Sequence, residues 1–142
     1  MDMDKRQIEG CWISVIMRLA IATLLGAAAV SKFTGGLNRV VGYFQDVFSE
    51  TWLPLILVTL HARIVPFAEL IICVWLVIGW RLRAAWVVAG LFLISLAFGM
   101  VVAAKYDTAA HNYVYVALCC IGIYFSAGDR WSVDGFTRRP RG

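Results

Sequence analysis

Glu69 is an acid inside the apolar run from Ile64 to Trp80, where an ionised side chain has almost no solvent. A charge at the centre of a bilayer costs about 2.5 to 3.5 kcal/mol on insertion scales, so it usually faces a partner, a cavity or a proton path. Arg18 lies in another apolar run, and antiparallel packing places the two residues about four residues, roughly 6 Å, apart in depth. We therefore predict an ion pair between Arg18 and Glu69 inside the membrane.

Two roles are open to Glu69. In the first role, the ion pair with Arg18 only fixes the register of two packed helices. In the second role, Glu69 handles a proton or binds a ligand, and Lys32, His61 and Arg63 complete a polar pocket around it. Lys32 ends the first apolar run, so the preferred interpretation of this residue is an anchor whose ammonium group reaches the lipid headgroups.

The histidines and cysteines give no metal or cofactor signature. His61 and His111 begin two apolar runs, and paired imidazoles can hold haem or a metal ion, but no acid or thiolate accompanies them. We expect a proton relay or a headgroup contact instead, no metal site, and no covalently bound cofactor. The four cysteines lack Cys-x-x-Cys spacing. The first lies at the edge of an apolar run, and the other three fall within apolar runs and are interpreted as small buried thiols. The four are Cys11, Cys73, Cys119 and Cys120.

The composition is that of a membrane protein. Of 142 residues, 61% are hydrophobic and 15% are charged, whereas soluble domains average about 25% charged residues. Four segments approach the roughly 20 apolar residues that cross a bilayer. The sequence therefore predicts one all-α domain over 1–142, an integral membrane four-helix bundle. Its predicted spans are 12–31, 62–80, 84–104 and 112–128, followed by a cytoplasmic tail over 129–142.

The basic residues predict the topology. With the N-terminus inside, eight of them fall on the cytoplasmic side and four on the other, which favours cytoplasmic positions for both termini. We expect the inner membrane of a prokaryote, with a retained first span, because its apolar stretch exceeds the 7 to 15 residues typical of a signal peptide. The sequence has no basic patch combined with aromatic residues that could stack on bases, so nucleic acid is not an expected partner. The eight are Lys5, Arg6, Arg81, Arg83, Arg130, Arg138, Arg139 and Arg141; the four are Lys32, Arg39, Arg63 and Lys105.

The connection between spans one and two contains a predicted amphipathic helix. Its apolar residues recur at helical spacing, and Asn38 is a plausible N-cap. We predict an interfacial helix on the outer membrane surface, and a helix that caps the bundle is the alternative. Pro66 predicts a break near the start of span two, preceded by a separate short helix that begins at Pro54. The apolar residues of the amphipathic helix are Val40, Val41, Phe44, Val47 and Phe48.

A family resemblance rests on the order of these features along roughly residues 15 to 134. They are Arg18, Lys32, the amphipathic connection, Pro66, Glu69, Gly79, Trp80, Arg81, Asn112 and the run from Gly128 to Asp134. The most specific parts are the span-two acid followed by Gly79 with basic residues, and the terminal Trp131, Ser132, Val133 and Asp134. In this order the chain resembles the DoxX-like family, whose relatives include DoxD and MauE types of small four-helix membrane proteins.

The resemblance implies a four-helix bundle associated with membrane redox systems, such as a subunit that passes electrons to quinone or assists maturation of a periplasmic dehydrogenase. We predict a subunit of a larger redox or respiratory assembly that contributes to quinone binding or reduction. Glu69 would be the proton acceptor, and Arg18, Lys32, His61 and Arg63 would surround the quinone headgroup. The alternative is a noncatalytic accessory, scaffold or assembly subunit. The expected partners are the lipid bilayer and other membrane subunits, and the choice between enzyme and scaffold stays open.

Overall fold

The computed structural model describes residues 2–126, 129, 132 and 133, and the side chains of these residues from position 8 onward. This part of the chain is helical and contains no strand, which confirms the predicted all-α class. Four of the five helices are long and apolar enough to cross a membrane. The helices are α1 (Asp2–Gly35), α2 (Leu37–Phe48), α3 (Leu55–Ile78), α4 (Leu82–Val102) and α5 (Tyr106–Phe125).

The four long helices form a ring. Helix α1 packs most extensively on α3, and α4 packs most extensively on α5, while smaller contacts between α1 and α5 and between α3 and α4 join the two pairs. A central cluster of buried residues fills the interior. Its members are Ile21, Ala22, Leu25, Ile72, Leu76, Leu82, Ala85, Trp86, Ala89, Leu93 and Cys119.

Helix α2 covers one end of the ring, as the capping alternative predicted. Its predicted N-cap, Asn38, is wrong, because the helix begins at Leu37 after Gly36, whose φ of 87° makes the bend from α1. Its apolar face contributes to a second group of buried residues, here called the α2 cluster. Its members are Phe44, Phe48, Val58, Ala62, Met100 and Ala109. The position of α2 relative to the membrane surface stays a prediction.

Helix α3 is continuous, so the predicted break at Pro66 is wrong. The helix begins at Leu55 directly after Pro54 and runs for 24 residues, about 36 Å. Pro66 is buried within α3. Proline is tolerated inside membrane helices, because packing partners can compensate for the hydrogen bond that it removes. The second span therefore begins seven residues before the predicted 62, and Pro54 starts α3 itself instead of a separate short helix.

The other helix ends also depart from the predictions. Helix α1 covers Asp2–Gly35, with a candidate membrane span over Ile8–Gly35, whereas the predicted first span was 12–31. Residues 79 to 81 join α3 to α4 in a tight turn, in which Gly79 has a φ of 72° and Arg81 a φ of 46°. Helix α5 begins at Tyr106, six residues before the predicted start at 112. The predicted end of span four at 128, and most of the predicted tail over 129–142, lie outside the described residues.

Candidate functional site

The first ion pair joins α1 to α3. The ammonium group of Lys32 lies 2.5 and 2.6 Å from the two carboxylate oxygens of Glu69, to which it donates hydrogen bonds. The side chain of Glu69 is only 3% exposed, whereas that of Lys32 is 24% exposed. Beside the pair, the rings of Phe33 and Phe67 meet edge to face with their centres 5.1 Å apart. The acid is therefore enclosed, and its base reaches it from a more open position.

The pair lies between the two buried clusters. Along α3, Val58 and Ala62 belong to the α2 cluster, Ile72 and Leu76 belong to the central cluster, and Glu69 lies between these two pairs. The same interval of α1 and α4 contains Ala29 and Ala97, both fully buried. The Lys32 and Glu69 pair therefore forms a polar layer between two apolar clusters.

A second ion pair joins α1 to the segment after α5. A guanidinium nitrogen of Arg18 lies 3.2 Å from a carboxylate oxygen of Asp129, and the hydroxyl of Ser14 donates a hydrogen bond of 2.8 Å to the same oxygen. All three residues are buried. A Cβ added to Gly79 would lie 2.7 Å from the guanidinium group of Arg18 and 2.7 Å from the Cβ of Ser132. Because glycine has no side chain, Arg18 and Ser132 can both pack against the end of α3 at Gly79.

The predicted pair of Arg18 with Glu69 is wrong. Arg18 and Lys32 are 14 residues apart on α1, a rise of about 21 Å, so one ion pair lies at the middle of that helix and the other in its last turn. The physical cause is the position of α2, which continues beyond α1 and packs on the first half of α3. Helix α1 is left to contact the second half of α3, so Glu69 lies within reach of Lys32, near the end of α1. The prediction was wrong because it placed the centres of spans one and two at the same depth in the membrane.

His61 and Arg63 do not join either ion pair. His61 is half-buried and Arg63 is exposed, and along α3 they lie about 12 and 9 Å from Glu69 toward the α2 end of the bundle. The imidazole of His111 lies 2.7 Å from the carbonyl oxygen of Asp107 in its own helix. The pocket predicted from Arg18, Lys32, His61 and Arg63 is thus not assembled as one site, and the roles of these residues toward quinone stay predictions.

The other side chains that could ligate a metal ion lie apart from one another. Within the described residues, groups of three or more His, Cys, Asp or Glu side chains do not occur. The thiol of Cys73 packs close to Gly26 on α1, where an added Cβ would lie 2.9 Å from its sulfur. Cys119 is buried and Cys120 is exposed, so adjacent thiols face different surroundings. The site with the clearest chemistry is therefore the pair of Lys32 with Glu69.

Sequence reasoning missed the partner of Arg18. Asp129 was recognised only as part of the terminal motif, because an acid just beyond a span is usually exposed to water at the membrane surface. The sequence feature that could have indicated a folded segment here is the spacing of three residues between Asp129 and Ser132. In the structure, the Ser132 hydroxyl donates a hydrogen bond of 3.1 Å to the Asp129 carbonyl oxygen. The contacts that join Asp129 to the bundle are those of its carboxylate with Arg18 and Ser14.

Comparison with known proteins identifies the family. The family model described as methylamine utilisation protein MauE matches residues 10–111, which include Arg18, Lys32 and Glu69. No curated protein matches the chain, and no solved structure does. The match covers most of the chain and agrees with the DoxX-like resemblance of its sequence. The chain belongs to the MauE family of multi-pass membrane proteins.

Proposed function

We propose that the chain is a noncatalytic accessory subunit of a membrane redox assembly that serves methylamine utilisation. The observation that carries this proposal is the pairing of Glu69 and Asp129 with bases of α1, namely Lys32 and Arg18. Ionised groups that neutralise each other across helices fix the register of the bundle. The family description, methylamine utilisation protein MauE, supports a place in that system.

The proposal includes the surroundings of the subunit. Four apolar helices fit a protein embedded in lipid, and the other members of the assembly would be membrane or membrane-bound redox subunits. We place the chain in the inner membrane with both termini in the cytoplasm, because basic residues are more numerous on that side. The bundle would then present α2 and the start of α3 to the opposite compartment.

The test is complementation in a methylamine-utilising bacterium whose own copy of the gene is deleted. The variant Lys32→Met with Glu69→Gln removes both charges but keeps the approximate shape of each side chain. An accessory bundle should still restore growth on methylamine with this double variant, and Arg39→Gln on exposed α2 is the matched control. Loss of growth with the double variant, at wild-type amounts of protein in the membrane, would contradict a noncatalytic role.

A quinone site is the second candidate, favoured by the unequal exposure of the ion pair. Because 24% of the Lys32 side chain is exposed, its ammonium group can be approached from one side of the bundle. A quinone headgroup there would accept a hydrogen bond from Lys32, and Glu69 would be the proton acceptor that relays protons to the reduced ring. The partner redox enzyme would supply two electrons, and the quinone would take up two protons to become quinol.

Quinone titration of the purified protein distinguishes the two candidates. A quinone site requires saturable binding that Glu69→Gln weakens, whereas Arg39→Gln leaves it unchanged. The absence of saturable binding by the wild-type chain together with its partner subunits would exclude the second candidate. Growth of the double variant on methylamine would exclude it independently.

A further inference from the structure

An apolar groove runs along the outward face of α3 at the end opposite α2. Its volume is about 510 Å³, within the roughly 300 to 1,000 Å³ of typical ligand sites. The residues that line it are Leu70, Ile71, Val74, Trp75, Ile78 and Trp80. Glu69 and the core residues Ile72 and Leu76 point to the opposite side of the same helix, so the groove is separate from the ion pair.

A tryptophan hydrogen bond shapes this groove. The indole nitrogen of Trp75 donates a hydrogen bond of 2.6 Å to the carbonyl oxygen of Trp80, which follows the end of α3. This bond holds the Trp75 ring along the helix axis instead of letting it project outward. Trp80, which is 55% exposed, forms the other end of the groove.

Basic residues stand at this end of the groove. The guanidinium carbon of Arg81 lies 5.6 Å from the centre of the Trp80 ring, and Arg83 is exposed two residues later. Trp80 therefore touches both the apolar groove and a cation. A ligand with a long apolar part and an anionic head matches this arrangement.

We propose that the groove binds one anionic phospholipid, with an acyl chain along α3 and its phosphate at Arg81 and Arg83. Charge complementarity selects this occupant, because the apolar lining carries no partner for a polar chain and the two arginines attract a negative headgroup. Free phosphate would leave the groove empty. A zwitterionic lipid would gain less, because its own cation offsets the attraction to the arginines.

Native mass spectrometry of the full chain in detergent tests the proposal. The probes are phosphatidylglycerol and phosphatidylcholine with identical acyl chains. We expect one retained phosphatidylglycerol, bound at least about fivefold more tightly than phosphatidylcholine, since each basic residue near a headgroup contributes roughly that factor. Glycerol phosphate should not displace the lipid, because it lacks the acyl chain.

Variants assign the binding to this groove. Arg81→Asn, which keeps a residue tolerant of positive φ, together with Arg83→Gln should lower the affinity for phosphatidylglycerol by fivefold or more. Val74→Trp should lower the affinity for both lipids by filling the groove from a position that is already exposed. Arg39→Gln, at the other end of the bundle, is the matched charge control. Circular dichroism of each variant confirms that the helices are retained.

Other outcomes overturn the proposal. Equal affinity for the two lipids would show that the headgroup is not recognised. An equal loss in Arg39→Gln would show only general attraction of the anionic lipid to basic residues. Displacement by glycerol phosphate would reduce the site to a phosphate contact. Val74→Cys crosslinks in native membranes to a second copy or to another protein would assign the groove to a protein helix and exclude a lipid.

Discussion

Removal of Lys32 should destabilise the bundle more than removal of its partner. Lys32→Met leaves the carboxylate of Glu69, whose side chain is 3% exposed, buried without its base. Loss of one member of a buried pair costs about 3 to 5 kcal/mol, because the other charge stays desolvated. Glu69→Gln leaves a lysine that is already 24% exposed and has a flexible stem, so its ammonium group can reach water or headgroups. We expect Glu69→Gln to lower the free energy of unfolding by about 1 to 3 kcal/mol, which is less than the cost of leaving a fully buried charge without its partner.

The double variant isolates the interaction between the two side chains. Lys32→Met with Glu69→Gln leaves no buried charge at this position, so its loss of stability should be smaller than the sum of the two single losses, by a coupling of about 1 to 3 kcal/mol. The measurement is the free energy of unfolding in mixed micelles, from titration with a denaturing detergent. Additivity within about 0.5 kcal/mol, or a larger loss in Glu69→Gln than in Lys32→Met, would refute this reasoning.

Three further predictions concern packing, and thermal unfolding in detergent checks the first two. Gly122→Ala should cost about 1 to 3 kcal/mol, because the added Cβ would lie 2.4 Å from the fully buried ring of Trp86. Gly79→Ala should destabilise more than Gly36→Ala, because both glycines have positive φ but only Gly79 has neighbouring side chains within 4 Å; equal losses would contradict this. Phe48→Ala should cost about 3 to 5 kcal/mol and speed hydrogen exchange throughout α2; unchanged exchange would show that this helix is held by other contacts.

Hydropathy alone was sufficient to predict four candidate spans and the all-α class, because each apolar run is about as long as a helix that crosses a bilayer. The spacing of Phe44 and Phe48 likewise predicted the buried face of α2. Periodicity reports which face of a helix is apolar, and this property is local. The apolar face of a helix is therefore predictable from the sequence even when the displacement of neighbouring helices is unknown.

The partner of Glu69 could not be predicted in the same way. Which base meets this acid depends on the displacement of α1 along α3, and that displacement is set by α2, which occupies the first half of α3. A few turns of sliding exchange Arg18 for Lys32 without altering the apolar pattern of either helix. Pro66 illustrates the same limit, because tertiary packing keeps α3 continuous across a residue that disfavours helix.

Both ion pairs draw their base from α1 and their acid from a later part of the chain, which has a consequence for biosynthesis. Glu69 follows Lys32 by 37 residues, and Asp129 follows Arg18 by 111 residues. At about 5 to 20 residues per second, the ribosome supplies these acids roughly 2 to 7 and 6 to 22 seconds after their bases. Helix α1 is therefore made before either acid is available to its bases. The contact of Arg18 with Asp129 closes only after the last span is made, so a chain truncated before Asp129 keeps a cationic first helix that quality control can recognise.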